Sequence, residues 1–146
     1  MKIDGGCHCG NIRYEAEVDA ATVTICHCTD CQTFSGSPFR TIVLTKPGTF
    51  RLLAGTPKVY VKTTADSGNK RQQTFCAECA TPIYSAPEDG NTTVVVLRVG
   101  SIRQRAELVP RDQLWFRSAQ RWLADLPTIK KQDKQAVYDA RGVPRE

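Results

Sequence analysis

The sequence predicts a mainly β fold of short antiparallel sheets with few short helices, and three observations carry that expectation. Short alternating or β-branched runs recur along the chain, and turn residues separate them. Seven cysteines are gathered into three tight groups, Cys7/Cys9, Cys26/Cys28/Cys31 and Cys76/Cys79, and these spacings demand bent backbone between regular elements.

In chain order, Asn11 to Val18 alternates strictly, with Ile12, Tyr14, Ala16 and Val18 on one face and Arg13, Glu15 and Glu17 on the other. That is the pattern of a half-buried strand. Ala21 to Ile25 reads as a short strand that delivers the chain to Cys26. Gln32 to Pro38 reads as a turn-rich loop, and Phe39 to Leu44 resumes as an apolar strand. Thr49 to Ala54, Pro57 to Lys62 and Lys70 to Phe75 follow as short strands broken by Gly48, Gly55 and the Asp66-Ser67-Gly68-Asn69 turn. Pro82 to Ser85 leads away from the last cysteine pair. Thr92 to Val99 is rich in β-branched residues and reads as a central strand ended by Gly100. From Pro110 the pattern fits a strand or a short helix, with Leu114, Trp115, Phe116, Trp122, Leu123 and Leu126 interspersed with arginines. These aromatics read as core or lid packing. The stretch 126–146 reads as a polar, loosely held tail.

The cysteine count has a chemical meaning. A CxC pair and a CxxC pair supply the four thiolates of a closed tetrahedral zinc site, formed by Cys7, Cys9, Cys76 and Cys79. Cys26, Cys28 and Cys31 remain, and three ligands with one open position describe a reactive zinc site, giving two Zn2+ sites per chain. Zn–S bonds of roughly 2.3 Å place sulfurs about 3.8 Å apart, whereas alternate side chains of a straight strand stand about 6.6 Å apart. Both CxC pairs are therefore expected on turns. Gly5, Gly6 and Gly10 are read as the residues that let the backbone bend at the first pair, and Thr29 and Asp30 as turn formers at the second. Disulfides are the competing use of these thiols, but an odd count leaves one unpaired and no secretory segment precedes Cys7.

A chain of 146 residues is read as one domain. No run of about 18 apolar residues is present to cross a membrane, and free thiols with zinc suit the reducing cytoplasm. The formal net charge of +5 favours anionic partners.

Four segments together resemble the glutathione-dependent formaldehyde-activating enzyme family, which also includes centromere protein V. They are Gly6-Cys7-His8-Cys9-Gly10, then Cys26-His27-Cys28-Thr29-Asp30-Cys31 followed by Ser35-Gly36-Ser37-Pro38-Phe39, then Phe75-Cys76-Ala77-Glu78-Cys79, and Trp122-Leu123. The resemblance spans residues 3–125. It implies a β-rich, tent-like fold with a structural zinc on Cys7, Cys9, Cys76 and Cys79 and a catalytic zinc on Cys26, Cys28 and Cys31. It also implies carbon–sulfur lyase chemistry on the adduct of a thiol such as glutathione with an aldehyde. Ala80 departs from the pattern, standing where the family usually has glycine.

The residues agree with that chemistry. A three-thiolate zinc with an open position suits a fourth thiol, or the oxygen of a carbonyl or hemithioacetal. His27 lies between two ligands and is expected to point outward rather than to transfer protons; His8 has the same placement at the closed site. The competing class is a zinc-stabilised module binding nucleic acid or a protein. It would need a basic face from Arg98, Arg103, Arg105, Arg111, Arg117 and Arg121, a run interrupted by Glu107, Asp112 and Asp125. A third is a redox switch that releases metal when its thiols are oxidised.

Overall fold

The computed structural model describes residues 1–145. Strands β1 (Lys2–Gly6), β2 (Arg13–Glu17) and β5 (Arg51–Ala54) form a three-stranded sheet in the order β1-β2-β5. The second sheet has seven strands. Its members in chain order are β3 (Thr24–Cys26), β4 (Arg40–Leu44), β6 (Lys58–Lys62), β7 (Arg71–Phe75), β8 (Pro82–Pro87), β9 (Val96–Arg98) and β10 (Asp112–Leu114). They lie in the order β10-β3-β4-β9-β8-β7-β6. Every pairing is antiparallel except β10 with β3, which is parallel. One α-helix, α1 (Thr29–Ser35), and several 3-10 turns complete the described residues, among which no helix is long and apolar enough to cross a membrane.

The period-two pattern of β2 is realised as read: Ile12, Tyr14, Ala16 and Val18 are buried while Arg13 and Glu15 are exposed. The buried set joins Ile3, Val23, Val43, Ile83, Val95, Leu97 and Ile102 in one core that draws on both sheets. Bridges Gly5↔Ile102 and Val18↔Thr45 stitch the sheets at the margins of that core.

Several elements differ from the sequence reading. Residues 2–6 form a strand although Gly5 and Gly6 look like turn residues. A Cβ on Gly5 would lie 2.5 Å from the Tyr14 ring and from the Ser101 carbonyl oxygen, and one on Gly6 would lie 2.4 Å from the Ile12 carbonyl oxygen. These glycines serve close approach between strands, not bending; the bend belongs to Gly10, at φ +81°. Asp19 caps a 3-10 turn at Ala20–Thr22 through the Ala21 amide (2.9 Å), so β3 starts at Thr24. Of Thr92–Val99 only Val96–Arg98 is laddered, in the expected central position between β4 and β9's other neighbour, β8. Val95 is tied to Thr45 alone, through backbone and hydroxyl bonds. The ambiguous stretch after Pro110 resolves into both alternatives, β10 and then 3-10 turns at Phe116–Ser118 and Arg121–Thr128.

Tyr14 anchors the seam between β1 and the Val99–Ser101 turn. Ser101 Oγ donates to the Arg98 carbonyl at 2.8 Å, so the Tyr14 hydroxyl donates to Ser101 Oγ at 2.7 Å. Burial pushes the Tyr14 phenol up to about 12, which keeps that donor protonated at all ordinary pH. Gly5→Ala is expected to force this packed ring aside and to lower unfolding free energy by about 2 kcal/mol. Equilibrium urea unfolding with an unchanged m-value checks it.

Candidate metal centres

The first cluster is assembled from two tight turns. After β1, Gly10 N–H donates to the Cys7 carbonyl and Cys7 N–H to the Ile12 carbonyl, both at 3.1 Å, which folds Cys9 back beside Cys7. After β7, Ala80 N–H donates to the Cys76 carbonyl (2.9 Å) and Cys76 N–H to the Thr81 carbonyl (3.0 Å). Cys7 Sγ lies 3.5 Å from Cys9 Sγ, Cys9 Sγ lies 3.7 Å from Cys76 Sγ, and the sulfurs of Cys7, Cys9, Cys76 and Cys79 are all within 4.8 Å of one another. These separations are close to the roughly 3.8 Å of a tetrahedral tetrathiolate zinc site, so the donor set fits that ion.

The sulfurs have outer partners. The Ile12 amide donates to Cys7 Sγ at 3.1 Å. Thr81 Oγ1 accepts from the His8 amide at 3.0 Å and lies 3.1 Å from Cys79 Sγ, so its proton is free to point at the sulfur. That hydroxyl is the main reason the Cys79 thiol is drawn down to about 5. Nothing in the cysteine spacing announces Thr81.

The second cluster sits where a strand hands over to a helix. Cys26 ends β3, opposite Arg40 on β4 and Leu114 on β10. Cys28 is the N-cap of α1, its sulfur accepting the Cys31 amide at 3.3 Å. The three sulfurs lie within 4.8 Å of one another. A hydrogen bond from Cys31 is the largest effect drawing the Cys26 thiol down to about 5, against the cost of its burial, and the Cys31 thiol is pushed up in turn. Three thiols this close share protons rather than all ionising, and a divalent cation removes that conflict. The expected loop over Gln32 to Pro38 is instead helical to Ser35 and closed by Gly36 at φ +60°. A cysteine cap lies outside the usual Ser, Thr, Asp and Asn signature, which is why the helix start was not legible.

His27 does not point outward. It is 2 % exposed, its ring set edge-on against Phe39 and Phe116 at 5.7 and 5.8 Å between centroids. Its Nε2 bonds Gln113 Oε1 at 2.8 Å and its amide donates to the Leu114 carbonyl at 3.0 Å, so it fastens β10 to the cluster. Gln32, which the sequence reading passed over as loop, donates to the carbonyls of His27 (2.7 Å) and Ser118 (3.1 Å).

Two cavities flank α1. One, of about 490 Å³, is lined by Cys28, Asp30, Lys62, Trp115 and Arg117. Trp115 holds a left-handed conformation (φ 56°), rare for a bulky side chain, with the Arg117 guanidinium 5.0 Å from its ring centroid. The other, of about 550 Å³, is lined by Phe34, Arg40, Tyr60, Gln73 and Arg98. Asp30, Lys62 and Thr64 line both. Lys62 Nζ and Thr64 Oγ1 each lie 2.7 Å from Asp30 Oδ2, and the Lys62 contact leads in holding that carboxyl below its ordinary range. Arg98, which the sequence reading assigned to a solvent-facing basic run, is only 8 % exposed; Arg103, Arg105, Arg111, Arg117 and Arg121 are exposed.

A family model described as glutathione-dependent formaldehyde-activating enzyme matches residues 2–118. Among solved structures, the crystal structure of a Rhodobacter sphaeroides protein superposes with a TM-score of 0.56 at 17 % identity, covering 75 % of this chain and 98 % of that one. At that identity the likeness is one of fold.

Ala80 carries a consequence of the turn at Cys76–Cys79. Its φ is 60°, the left-handed region, so the backbone there takes the shape glycine suits and alanine holds it under strain. Left-handed φ costs an L-residue roughly 1–2 kcal/mol, partly offset by the extra chain entropy glycine brings to the unfolded state, about 0.4–1 kcal/mol. Ala80→Gly is expected to raise stability by about 0.5–1 kcal/mol. Thermal unfolding reads it as a higher midpoint.

Proposed function

The chain belongs to the glutathione-dependent formaldehyde-activating enzyme family, and on that footing we propose that it is a zinc-dependent enzyme of carbon–sulfur lyase type acting on the adduct of a small thiol, glutathione or a relative, with an aldehyde. The observation that carries this reading is the convergence of Cys26, Cys28 and Cys31 within 4.8 Å, with Cys28 opening on a cavity. Those three sulfurs would hold zinc, and the chemistry it would supply there is to favour the ionised form of a fourth thiol. Cys7, Cys9, Cys76 and Cys79, lacking such an opening in their donor set, are the structural site.

The reaction is the reversible addition of the thiol across a carbonyl. The S–C bond forms as the C=O π pair becomes an alkoxide, and the proton leaving the thiol ends on that oxygen; cleavage runs the same steps backward. This chain contributes binding and orientation. Lys62 is held in place by Asp30, Trp115 and Arg117 pack on each other in the wall of the Cys28 cavity, and His27, buried and bonded to Gln113, fastens the neighbouring strand β10. His27 is thus read as a positioning residue.

The two sites answer differently to mutation. Cys7 and Cys76 are distant in sequence, so a metal there closes a long loop and contributes on the order of 10 kcal/mol to folding. Cys76→Ser is expected to unfold the domain, seen as loss of cooperative melting by circular dichroism. Cys26 to Cys31 closes almost no loop. Cys28→Ser is therefore expected to keep its β structure and retain about one zinc per chain while losing heat of binding with glutathione in calorimetric titration. A wild-type protein that binds none of a series of small thiols, and binds DNA with a steep salt dependence instead, would overturn the enzyme reading.

A further inference from the structure

Arg40 and Arg98 lie on adjacent strands β4 and β9, where Arg98 pairs with Ile42, two residues along from Arg40 and on the same face. They are 6 % and 8 % exposed. Among the described residues neither has a carboxylate partner. Arg40 Nη1 and Arg98 Nη2 both donate to Gln73 Oε1, at 3.3 and 2.7 Å, and both residues line the same cavity. The one carboxylate in that cavity, Asp30, is already committed to Lys62 and Thr64.

Two buried cations sharing a single neutral acceptor are costly unless something anionic completes the site. The thiolates of Cys31, Cys28 and Cys26 are the anions that bear on Arg40, and Cys31 and Cys26 bear on Arg98 as well, where Arg40 and Arg71 oppose them. Three thiolates around one divalent ion carry a formal charge of about −1. Two arginines beside that cluster leave about one positive charge unanswered in a cavity of about 550 Å³, a size suited to a small ligand. Phe34 holds Arg40 flat, its ring centroid 5.3 Å from the Arg40 Cζ, and Tyr60 packs on Phe34 at 6.0 Å.

We propose that Arg40 and Arg98, bridged by Gln73, are the seat for a carboxylate on the ligand, so that a thiol bound at the Cys26/Cys28/Cys31 cluster extends past the Asp30–Lys62 ridge and places its acid group on the arginine pair. The inference rests on the thiol-binding reading of that cluster and adds the two side chains that would select, among small thiols, those that carry a carboxylate, as glutathione does. A polymeric phosphate backbone does not reach side chains this enclosed, whereas a small planar carboxylate accepts from two converging forks.

The test uses full-length, zinc-loaded protein and a matched ligand pair, 3-mercaptopropionate and 2-mercaptoethanol, with propionate as the acid that lacks a thiol. Calorimetry is expected to show the mercapto acid bound about 10- to 100-fold more tightly than the mercapto alcohol, the range of a charge-assisted bond in a buried site. Propionate alone is expected to raise the melting temperature. In Arg98→Met the ratio between the two thiols collapses toward unity and the stabilisation by propionate disappears. The ligand-free variant melts no lower than wild type, because an unpaired buried charge has been removed. Arg40→Lys, which keeps the charge and loses the fork, reduces the same ratio and serves if Arg98→Met does not fold. Cobalt(II) substitution separates this inference from the one beneath it, since thiol ligation changes the sulfur-to-metal absorption. Thiols that perturb the cobalt spectrum with no preference for the acid overturn the arginine seat and leave the thiol reading standing. Propionate that binds through Arg98 while no thiol perturbs the spectrum upholds the seat and overturns the thiol reading. A protein indifferent to all three ligands overturns both.

Discussion

Four sulfurs within 4.8 Å of one another, drawn from two turns at least 67 residues apart in sequence, are the constraint on which the rest of the structure depends. Thiols so close oppose joint ionisation, and a cation bound among them would remove that opposition. The turn at Cys7–Cys9 continues β1 of the small sheet, and the turn at Cys76–Cys79 joins β7 to β8 of the large one. Joining them fixes the two sheets at one end, while the Tyr14–Ser101–Arg98 chain of hydrogen bonds and the apolar core fix them between. With the frame held there, the β3 end that presents Cys26 is positioned by its neighbours on both sides, Arg40 and Leu114.

The cysteine groups were legible because thiolate spacing is short-range chemistry. CxC, CxxC and CxCxxC each limit where a backbone can go, and counting four plus three is sufficient to separate the clusters that the fold brings together. Strand β2 was legible for a similar reason, since burial on one face writes a period of two into Ile12, Tyr14, Ala16 and Val18. What the sequence hid depends on contacts distant in the chain. Gly5 and Gly6 look like a bend because nothing local says that Tyr14 and Ile12 will press against them. Helix α1 lacked its usual signal because a thiol takes the N-cap. His27 reads as a solvent-facing residue between ligands until Phe39, Phe116 and Gln113 close around it.

Arg98 is the most instructive of these. Beside Arg103 and Arg105 it reads as one more charge on a basic face, the feature a nucleic-acid-binding module would need. Its strand places it instead in the interior, next to Arg40 and away from the exposed arginines that follow it in sequence. That removes one member from the basic run and adds one to the surroundings of the three-thiol cluster. The same residue thus shifts the balance between the two functional classes, and it does so through register alone: on β9, Leu97 turns to the core and its neighbour Arg98 to the opposite face, which here is the cavity wall.

A fold that keeps two unpaired guanidiniums indoors carries a cost its core must offset, and the layout shows how it is contained. Gln73 gives both cations a shared acceptor, Phe34 lies against one of them, and the clustered thiols supply negative charge from one side. Among the residues lining the cavity the one carboxylate is Asp30, already held by Lys62 and Thr64. Structural ion pairs are normally closed by a carboxylate within reach, as Lys62 is by Asp30 a short distance away. The same cavity therefore holds one cation fully answered and two left open, and that contrast marks the arginine pair as a place where the missing charge arrives with the ligand.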